Sequence, residues 1–199
     1  AQPEAVAALF GAVMDRIDDF DIVHFHTETA HFLPFRGYEE KSVTTLHLRL
    51  DSDEAHAALA TNAAMPLVAI SDNQRRFRPE ARFVATVPHG MPDDLVAIGD
   101  GGEGHLLFVG RISPDKRPDR AIEVASRAGL PLKIAAKIDA ADERYFADEV
   151  AHLFENPIVD YLGEVDDAGK AALLAGARAL LFPIDWPEPF GLVMIEAMA

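Results

Sequence analysis

The stretch "LLFVGRISPDKRPDRAIEVA", residues 106–125, contains the two patterns that decide the fold class. Residues 106–109 are an apolar run with the length of a buried strand. From Pro118 onward, apolar residues recur every three to four positions, as they do on one face of a helix. A strand, a short turn and a helix in this order form the unit from which parallel sheets are built. The stretch therefore predicts an α/β fold.

The same alternation of short apolar runs and helical patterns continues along the whole chain. The predicted strands are 21–25, 42–46, 66–70, 83–87, 105–109, 132–136, 158–162 and 179–182. The predicted helices are 4–18, 28–36, 53–61, 71–77, 118–128, 141–154, 167–176 and 190–199. The predicted topology is therefore doubly wound, with parallel sheets.

A segment rich in Gly, Pro and Asp separates the two halves and is typical of an interdomain linker. We therefore predict a first domain over 1–92, a linker over 93–104 and a second domain over 105–199. Each half supplies about four strands, fewer than a complete doubly wound domain usually has. We expect both domains to be only partly represented, as in an interior piece of a longer protein.

Composition excludes several classes of function. The chain has 33 acidic and 18 basic side chains, a net charge of −15, which disfavours general binding to nucleic acid or to an anionic membrane surface. It has no cysteine, so it can form neither a disulfide nor a thiolate zinc site. No apolar run reaches the roughly 20 residues that a membrane span requires. These features favour a cytoplasmic location without a transmembrane segment.

Four cations follow the strand at 105–109, in a chain that is otherwise acidic. Gly110 and Arg111 lie at the carboxyl end of this strand, where open α/β sheets bind their ligands. A guanidinium and an ammonium beside a helix start favour a phosphate site. Ion pairs with nearby Asp115 and Asp119 are an equally compatible interpretation. The other three cations are Lys116, Arg117 and Arg120.

Two carboxylates eight positions apart lie in "WPEPFGLVMIEAMA", residues 186–199. Glu188 precedes the last predicted helix and Glu196 lies about two turns into it. A carboxylate can accept hydrogen bonds from two vicinal hydroxyls, which favours a sugar or a ribose as ligand. Alternatively, Glu188 is a helix-start acid and Glu196 an exposed residue. The apolar neighbours of Glu196 favour a buried helix, in which an ionised carboxylate requires a partner.

The segment "HFHTETAH", residues 24–31, groups three histidines with one glutamate. His24, His26, Glu28 and His31 are residue types that bind zinc. Histidines at a strand end more often form hydrogen bonds with backbone or ligand, so no metal site is predicted. Residues 71–76, "SDNQRR", are compatible with a helix start capped by Ser71 or with a ligand contact.

Several motifs together resemble one known family. "FVGRISPDKRPDRAIEVA" (108–125), "YLGEVDDAGKAALLAGARALLFP" (161–183) and "EPFGLVMIEAMA" (188–199) are similar to the C-terminal-domain motifs of the retaining GT-B glycosyltransferases of family 4. Their Glu-x7-Glu signature falls on Glu188 and Glu196. "DIVHFH" (21–26), "VTTLH" (43–47) and "AISDNQRR" (69–76) resemble the N-terminal domain of that family.

The resemblance implies two Rossmann-like domains facing a cleft, with a nucleoside-diphosphate sugar held mainly by the second. It places the donor diphosphate at Arg111 and Lys116, the transferred sugar at Glu188 and the ribose at Glu196. His47 matches the family histidine near the transferred sugar. The complete set of implied positions is His47, Arg111, Lys116 and Glu188 for catalysis, Gly110, Arg111, Lys116, Glu188, Phe190, Gly191, Leu192 and Glu196 for the donor, and His26 and Thr27 for the acceptor.

The reaction implied by the resemblance is transfer of a sugar to an acceptor with retention at the anomeric carbon, with no cofactor and no divalent metal. The acceptor and the oligomeric state stay open. Two alternatives also stay open: a nucleotide-sugar epimerase with the same architecture, and an inactive fragment of a glycosyltransferase. Glu188 and Glu196 are interpreted as ligands for hydroxyls and not as the acid and nucleophile of a glycosidase.

Overall fold

The computed structural model describes residues 3–92 and 104–199, which form two compact units. The first unit comprises the described residues up to His89 together with Pro187–Phe190. The second comprises those from Gly90 to Trp186 together with Gly191–Ala199. Apart from Gly104, the predicted linker at 93–104 lies outside the described residues, so the domain boundary stays a prediction.

The first unit contains a parallel sheet whose four strands lie in chain order, β1-β2-β3-β4. The strands are β1 (Val23–Phe25), β2 (Ser42–Thr45), β3 (Leu67–Ala69) and β4 (Phe83–Thr86). The helices are α1 (Pro3–Met14), α2 (Asp53–Thr61) and α3 (Asp72–Arg75), with 3₁₀ turns at Ile17–Asp19 and Glu39–Lys41. Hydroxyls of Ser52 and Ser71 accept backbone hydrogen bonds and begin α2 and α3. All four predicted strands are present.

The predicted helix at 28–36 is wrong, because residues 28–37 form successive turns. Glu28 has a left-handed backbone with φ 51°, which no helix accommodates, and Pro34 lacks the N–H that a helical interior needs. Its apolar residues pack as a compact loop: Phe32 and Phe35 are buried in the core of this unit. Burial in a loop therefore produced the spacing that indicated a helix.

The second unit contains a parallel sheet with the order β7-β6-β5-β8. Its strands are β5 (His105–Arg111), β6 (Leu132–Lys137), β7 (Val159–Gly163) and β8 (Ala177–Leu180). Its α-helices are α4 (Pro118–Ala128), α5 (Glu143–Tyr145), α6 (Asp167–Ala175) and α7 (Leu192–Met198). Because the strand order reverses between β5 and β8, the carboxyl ends of these two strands are where such a sheet binds a ligand.

Several predicted elements of the second unit have different bounds. The helix expected over 141–154 consists of α5, a π-helical turn at Phe146–Val150 and a 3₁₀ segment at Ala151–Glu155. β8 begins two residues before the predicted strand, and α7 begins at Leu192 instead of residue 190. Among residues 3–92 and 104–199, no helix combines the length and apolar character required to cross a bilayer.

Candidate functional site

Arg111 is the last residue of β5 and lies at the strand end where the sequence predicts an anion site. Its Nη1 atom is 3.5 Å from Oδ2 of Asp139 and 3.7 Å from Oδ2 of Asp142, and the side chain is 40% exposed. No described atom beyond its chain neighbours lies within 4 Å of where a Cβ on Gly110 would be, so the backbone here can be approached closely. Arg111 is therefore held by two weak ion pairs and remains accessible.

Asp139 is itself shared between two cations. Lys137 Nζ lies 2.9 Å from its Oδ1 atom, and this hydrogen bond is the main reason why the pKa of Asp139 is lowered, with Arg111 contributing less. The carboxylate is therefore ionised at neutral pH and sets the resting position of the Arg111 guanidinium. An anionic ligand at this strand end would compete with Asp139 for Arg111.

Lys116 lies in the turn after β5, next to aromatic rings that follow β8. Its Nζ atom is 4.9 Å from the ring centroid of Trp186 and 5.7 Å from that of Phe182, distances typical of cation–π contacts. The backbone N–H of Asp185 donates to the carbonyl oxygen of Asp115 at 2.9 Å. The segments after β5 and β8 are thus joined at the switch point of the sheet, with a lysine ammonium between them.

The other two cations of the cluster form internal ion pairs. Arg117 donates to Asp119 at 2.7 Å and to Asp185 at 2.8 Å, and Arg120 donates to Asp185 at 3.0 Å. The hydrogen bonds from Arg117 lower the pKa of Asp119, and those with Asp119 raise the pKa of Arg117. For these two arginines the ion-pair interpretation applies. Asp115, the other expected ion-pair partner of this cluster, accepts a hydrogen bond from the Asp185 N–H through its backbone oxygen.

Glu196 is buried within α7, as its apolar neighbours indicated, so the interpretation as an exposed residue is wrong. Its Oε1 atom accepts a hydrogen bond from Lys170 Nζ at 2.8 Å. Gly191 precedes the helix with a φ of 82°, a left-handed conformation that glycine adopts at little cost. Leu192, the first residue of α7, is exposed.

Glu188 and Phe190 belong to the first unit, unlike the other predicted donor residues. The backbone oxygen of Glu188 accepts from Asn73 Nδ2 at 2.9 Å, and the carbonyl of Pro189 accepts from the Ser71 hydroxyl. The Phe190 ring meets that of His89 edge-on at 5.0 Å. Ser71 thus caps α3 and, with Asn73, binds the backbone of the Glu188 segment, a role that sequence reasoning missed.

His26 and His47 are paired in the first unit. Nδ1 of His26 and Nε2 of His47 are 2.9 Å apart, so one ring donates and the other accepts. The His47 ring also stacks on His89 with centroids 5.3 Å apart. Burial first, and then the neighbouring imidazoles, lower the pKa of His47. His47 is therefore a neutral imidazole near pH 7, with its backbone N–H donating to the Glu28 carboxylate at 3.0 Å.

Thr27 and His31 serve the core of the first unit. His31 is fully buried, its two ring nitrogens lie 3.0 and 2.8 Å from the hydroxyls of Thr27 and Thr44, and its ring stacks on Phe25. In the described part of the chain, no group of three or more His, Cys, Asp or Glu side chains is arranged to hold a metal ion. The candidate zinc cluster is therefore divided between the His26–His47 pair and the core.

Comparison with known proteins identifies the family. Residues 99–199 match the family model described as glycosyl transferases group 1. The chain belongs to this family. It is 29% identical over 205 residues to the phosphatidyl-myo-inositol mannosyltransferases of Mycobacterium leprae and Mycobacterium tuberculosis, an alignment that covers 91% of this chain and 53% of each relative. The chain thus spans about half the length of these curated relatives.

Solved structures share the fold of this group 1 chain. Sucrose-phosphate synthase from Thermosynechococcus elongatus matches with a TM-score of 0.73 and 17% identity, over 98% of this chain and 57% of that one. AviGT4, a glycosyltransferase involved in avilamycin A biosynthesis, matches with a TM-score of 0.62 and 22% identity, over 89% and 52%. The predicted α/β fold with parallel sheets is confirmed, and it is the GT-B glycosyltransferase fold, of which the chain covers part.

Proposed function

We propose that this chain is the central part of a retaining glycosyltransferase that moves a sugar from a nucleoside-diphosphate donor to an acceptor. Membership of the group 1 family and similarity to mannosyltransferases support transfer of a sugar. The observation that carries the proposal is the position of Arg111 and Lys116. Arg111 ends β5 and Lys116 follows it, at the strand-order reversal where parallel sheets bind nucleotides.

In this proposal the two cations stabilise the leaving group. When the bond between the sugar and the diphosphate breaks, negative charge develops on the diphosphate oxygens. A guanidinium can donate two parallel hydrogen bonds to such oxygens, and an ammonium acts as a mobile point charge. Held in place before the reaction, they stabilise the developing charge without a reorganisation cost. This is the task that a divalent metal performs elsewhere, so we expect no metal requirement.

We assign the remaining roles by the same proposal. Glu196 accepts hydrogen bonds from the ribose hydroxyls and Glu188 from the transferred sugar. His47 contacts the transferred sugar as a neutral imidazole, in keeping with its lowered pKa. His26 and Thr27 lie on the acceptor side, where the Thr27 hydroxyl already bonds the buried His31.

The decisive test compares nucleoside diphosphates with nucleosides. UDP, GDP and ADP are titrated by calorimetry against the wild-type protein, Arg111→Met and Lys116→Met. Each variant loses a charge-assisted hydrogen bond, on the order of 1.5 to 3 kcal/mol, so affinity for the diphosphate should fall about 10- to 100-fold. Affinity for the corresponding nucleoside should stay unchanged. Arg120→Met is the matched control, since Arg120 pairs with Asp185.

The single tryptophan supplies a second readout. Trp186 is the only tryptophan of the chain, and the Lys116 ammonium lies 4.9 Å from its ring. A diphosphate that draws the ammonium away should change the fluorescence of Trp186, and Lys116→Met should remove that change. Equal losses of affinity for diphosphate and nucleoside in Lys116→Met would contradict the assignment, as would a wild-type protein that binds none of the three nucleotides.

A further inference from the structure

Lys170 has no role in the proposed chemistry, yet it forms an ion pair with a buried carboxylate of the second unit. It is the fourth residue of α6, and its Nζ atom lies 2.8 Å from Glu196 Oε1 and 3.3 Å from Asp167 Oδ1. The Glu196 side chain is 8% exposed and that of Lys170 is 23% exposed, whereas Asp167 is 84% exposed. Glu196 is therefore the main partner of this lysine.

The pair resolves an electrostatic problem that the sequence of α7 creates. An isolated ionised carboxylate among apolar side chains is strongly disfavoured, so a buried glutamate needs a cation or takes up a proton. Lys170 supplies that cation, and the hydrogen bond to Glu196 raises the pKa of Lys170. Glu196 thus has a cationic hydrogen-bond donor within its buried site.

The geometry also limits how the carboxylate can rotate. Lys170 is bonded to Oε1, and among residues 3–92 and 104–199 no hydrogen bond reaches Oε2. With one oxygen held from α6, the plane of the carboxylate is restrained, and the second oxygen keeps its capacity to accept two hydrogen bonds. A ligand with two adjacent hydroxyls matches that capacity.

We propose that Lys170 is a positioning residue for nucleotide binding: it holds the Glu196 carboxylate oriented so that this group accepts hydrogen bonds from the vicinal hydroxyls of the donor ribose. This inference rests on the proposed role of Glu196. Lys170 touches Glu196 and not the ligand. An ion pair that served stability alone would affect the binding of a ribonucleotide and of its dideoxy analogue equally, because its effect would not depend on the hydroxyls of the ligand.

The experiment separates hydroxyl recognition from general binding. UDP, GDP and ADP, each beside its 2′,3′-dideoxy analogue, are titrated by calorimetry against the wild-type protein, Lys170→Met, Lys170→Arg and Glu196→Gln. Lys170→Met should weaken binding of the ribonucleotide about tenfold. Binding of the dideoxy analogue should stay within about twofold, since it offers no hydroxyl to the carboxylate. Lys170→Arg keeps a donor and should restore most of the lost affinity.

Two further variants test whether Lys170 acts through Glu196 and control for effects on folding. In a Glu196→Gln background, Lys170→Met should cause no additional loss, because the lysine acts only through that carboxylate. This double variant also removes the unpaired buried charge, so it remains testable if Lys170→Met unfolds. Asp167→Asn is the matched control, because it removes the exposed partner of the same lysine and should leave both affinities unchanged.

The outcomes distinguish the two proposals. Equal losses for ribonucleotide and dideoxy analogue in Lys170→Met, or an additive loss in the double variant, would overturn the role of Lys170 and leave nucleotide binding intact. A wild-type protein that binds none of the three diphosphates would overturn both. Loss confined to the ribonucleotide, with rescue by arginine, supports the role of Lys170.

Discussion

Each unit contains a four-stranded parallel sheet, but the two units differ in the polarity of the core that packs against the sheet. The core of the first unit contains an imidazole, a carboxamide and hydroxyls among its apolar side chains: His31, Ser42, Thr44, Thr45 and Gln74 are all buried. The core of the second unit around β5 and β6 is formed by apolar residues, and its charged groups lie at the carboxyl ends of the strands and on the helices.

One buried polar side chain of the first core, Gln74, replaces hydrogen bonds that secondary structure does not make. Gln74 is fully enclosed: its Oε1 accepts from the Ile70 N–H at 3.0 Å, and its Nε2 donates to the carbonyls of Leu46 and Leu48 at 3.0 and 2.8 Å. It therefore satisfies backbone groups at the ends of β2 and β3, where the strands are only three or four residues long. Short strands and a long irregular loop thus require buried polar side chains.

The second unit needs few such substitutes, since β5 and β6 are seven and six residues long and pair over their length. Apart from the buried Glu196 and its partner Lys170, its charged side chains can therefore remain at the rim, where water screens them and each pair contributes little to stability. Charged groups near the strand ends of the second unit, such as Arg111, therefore stay accessible. Polar groups inside the first unit are committed to the fold.

The largest expected effect that tests this difference is on His31. His31→Ala removes two hydrogen bonds, one ring stack and a buried volume, and should lower the free energy of unfolding by about 4 kcal/mol. Urea unfolding, monitored through hydrogen exchange of the β1 and β2 amides, measures this loss of stability. His56→Ala on α2, an exposed histidine, is the control and should change little. A loss below about 1 kcal/mol would contradict the conclusion that buried polar groups stabilise the first unit.

Acid should destabilise the first unit through the same residue. Burial lowers the pKa of His31 from 6.5 to about 4. Below pH 6.5 the unfolded chain binds a proton that the folded chain excludes, so stability falls as pH decreases from 6.5 to about 4, by roughly 3 kcal/mol in total. Unfolding free energies of the wild type and His31→Ala at several pH values isolate this contribution. Parallel pH profiles would contradict it.

The smallest effect is expected at the rim of the second unit. Asp185→Asn removes the partner of Arg117 and Arg120, and should lower the free energy of unfolding by about 0.5 kcal/mol, with the difference disappearing in 1 M salt. Exposed Glu143→Gln controls for the change in net charge. A loss above about 2 kcal/mol would show that this network stabilises the fold as strongly as the buried groups of the first unit do.

Much of this arrangement was readable in particular residues. Apolar runs predicted every strand, within two residues at the start of β8, because a buried parallel strand needs apolar side chains on both faces. The helical pattern of 118–128 was confirmed because Pro118, the buried Ala121 and Ile122 and the terminal Gly129 are consistent with one another. The buried position of Glu196 was also readable, since its neighbours in α7 are apolar.

Other features depended on partners distant in sequence. The Glu28 carboxylate in the loop at 28–37 accepts a hydrogen bond from the backbone of His47, 19 residues away, a contact that a local pattern does not show. Which cation accompanies Glu196 depended on α6, which brings in Lys170 from 26 residues earlier. In the cation cluster at the end of β5, the ion-pair interpretation holds for some residues only. Arg117 and Arg120 pair with Asp185, whereas Arg111 remains accessible.

The sequence by itself determined the α/β class, the parallel strands and the family motifs, because periodicity and glycine or proline signals are local properties of the chain. The tertiary structure alone decided which polar side chains became internal supports and which stayed at the strand ends. A hydrogen bond or an ion pair depends on distances of about 3 Å between groups that the chain brings together only when it folds.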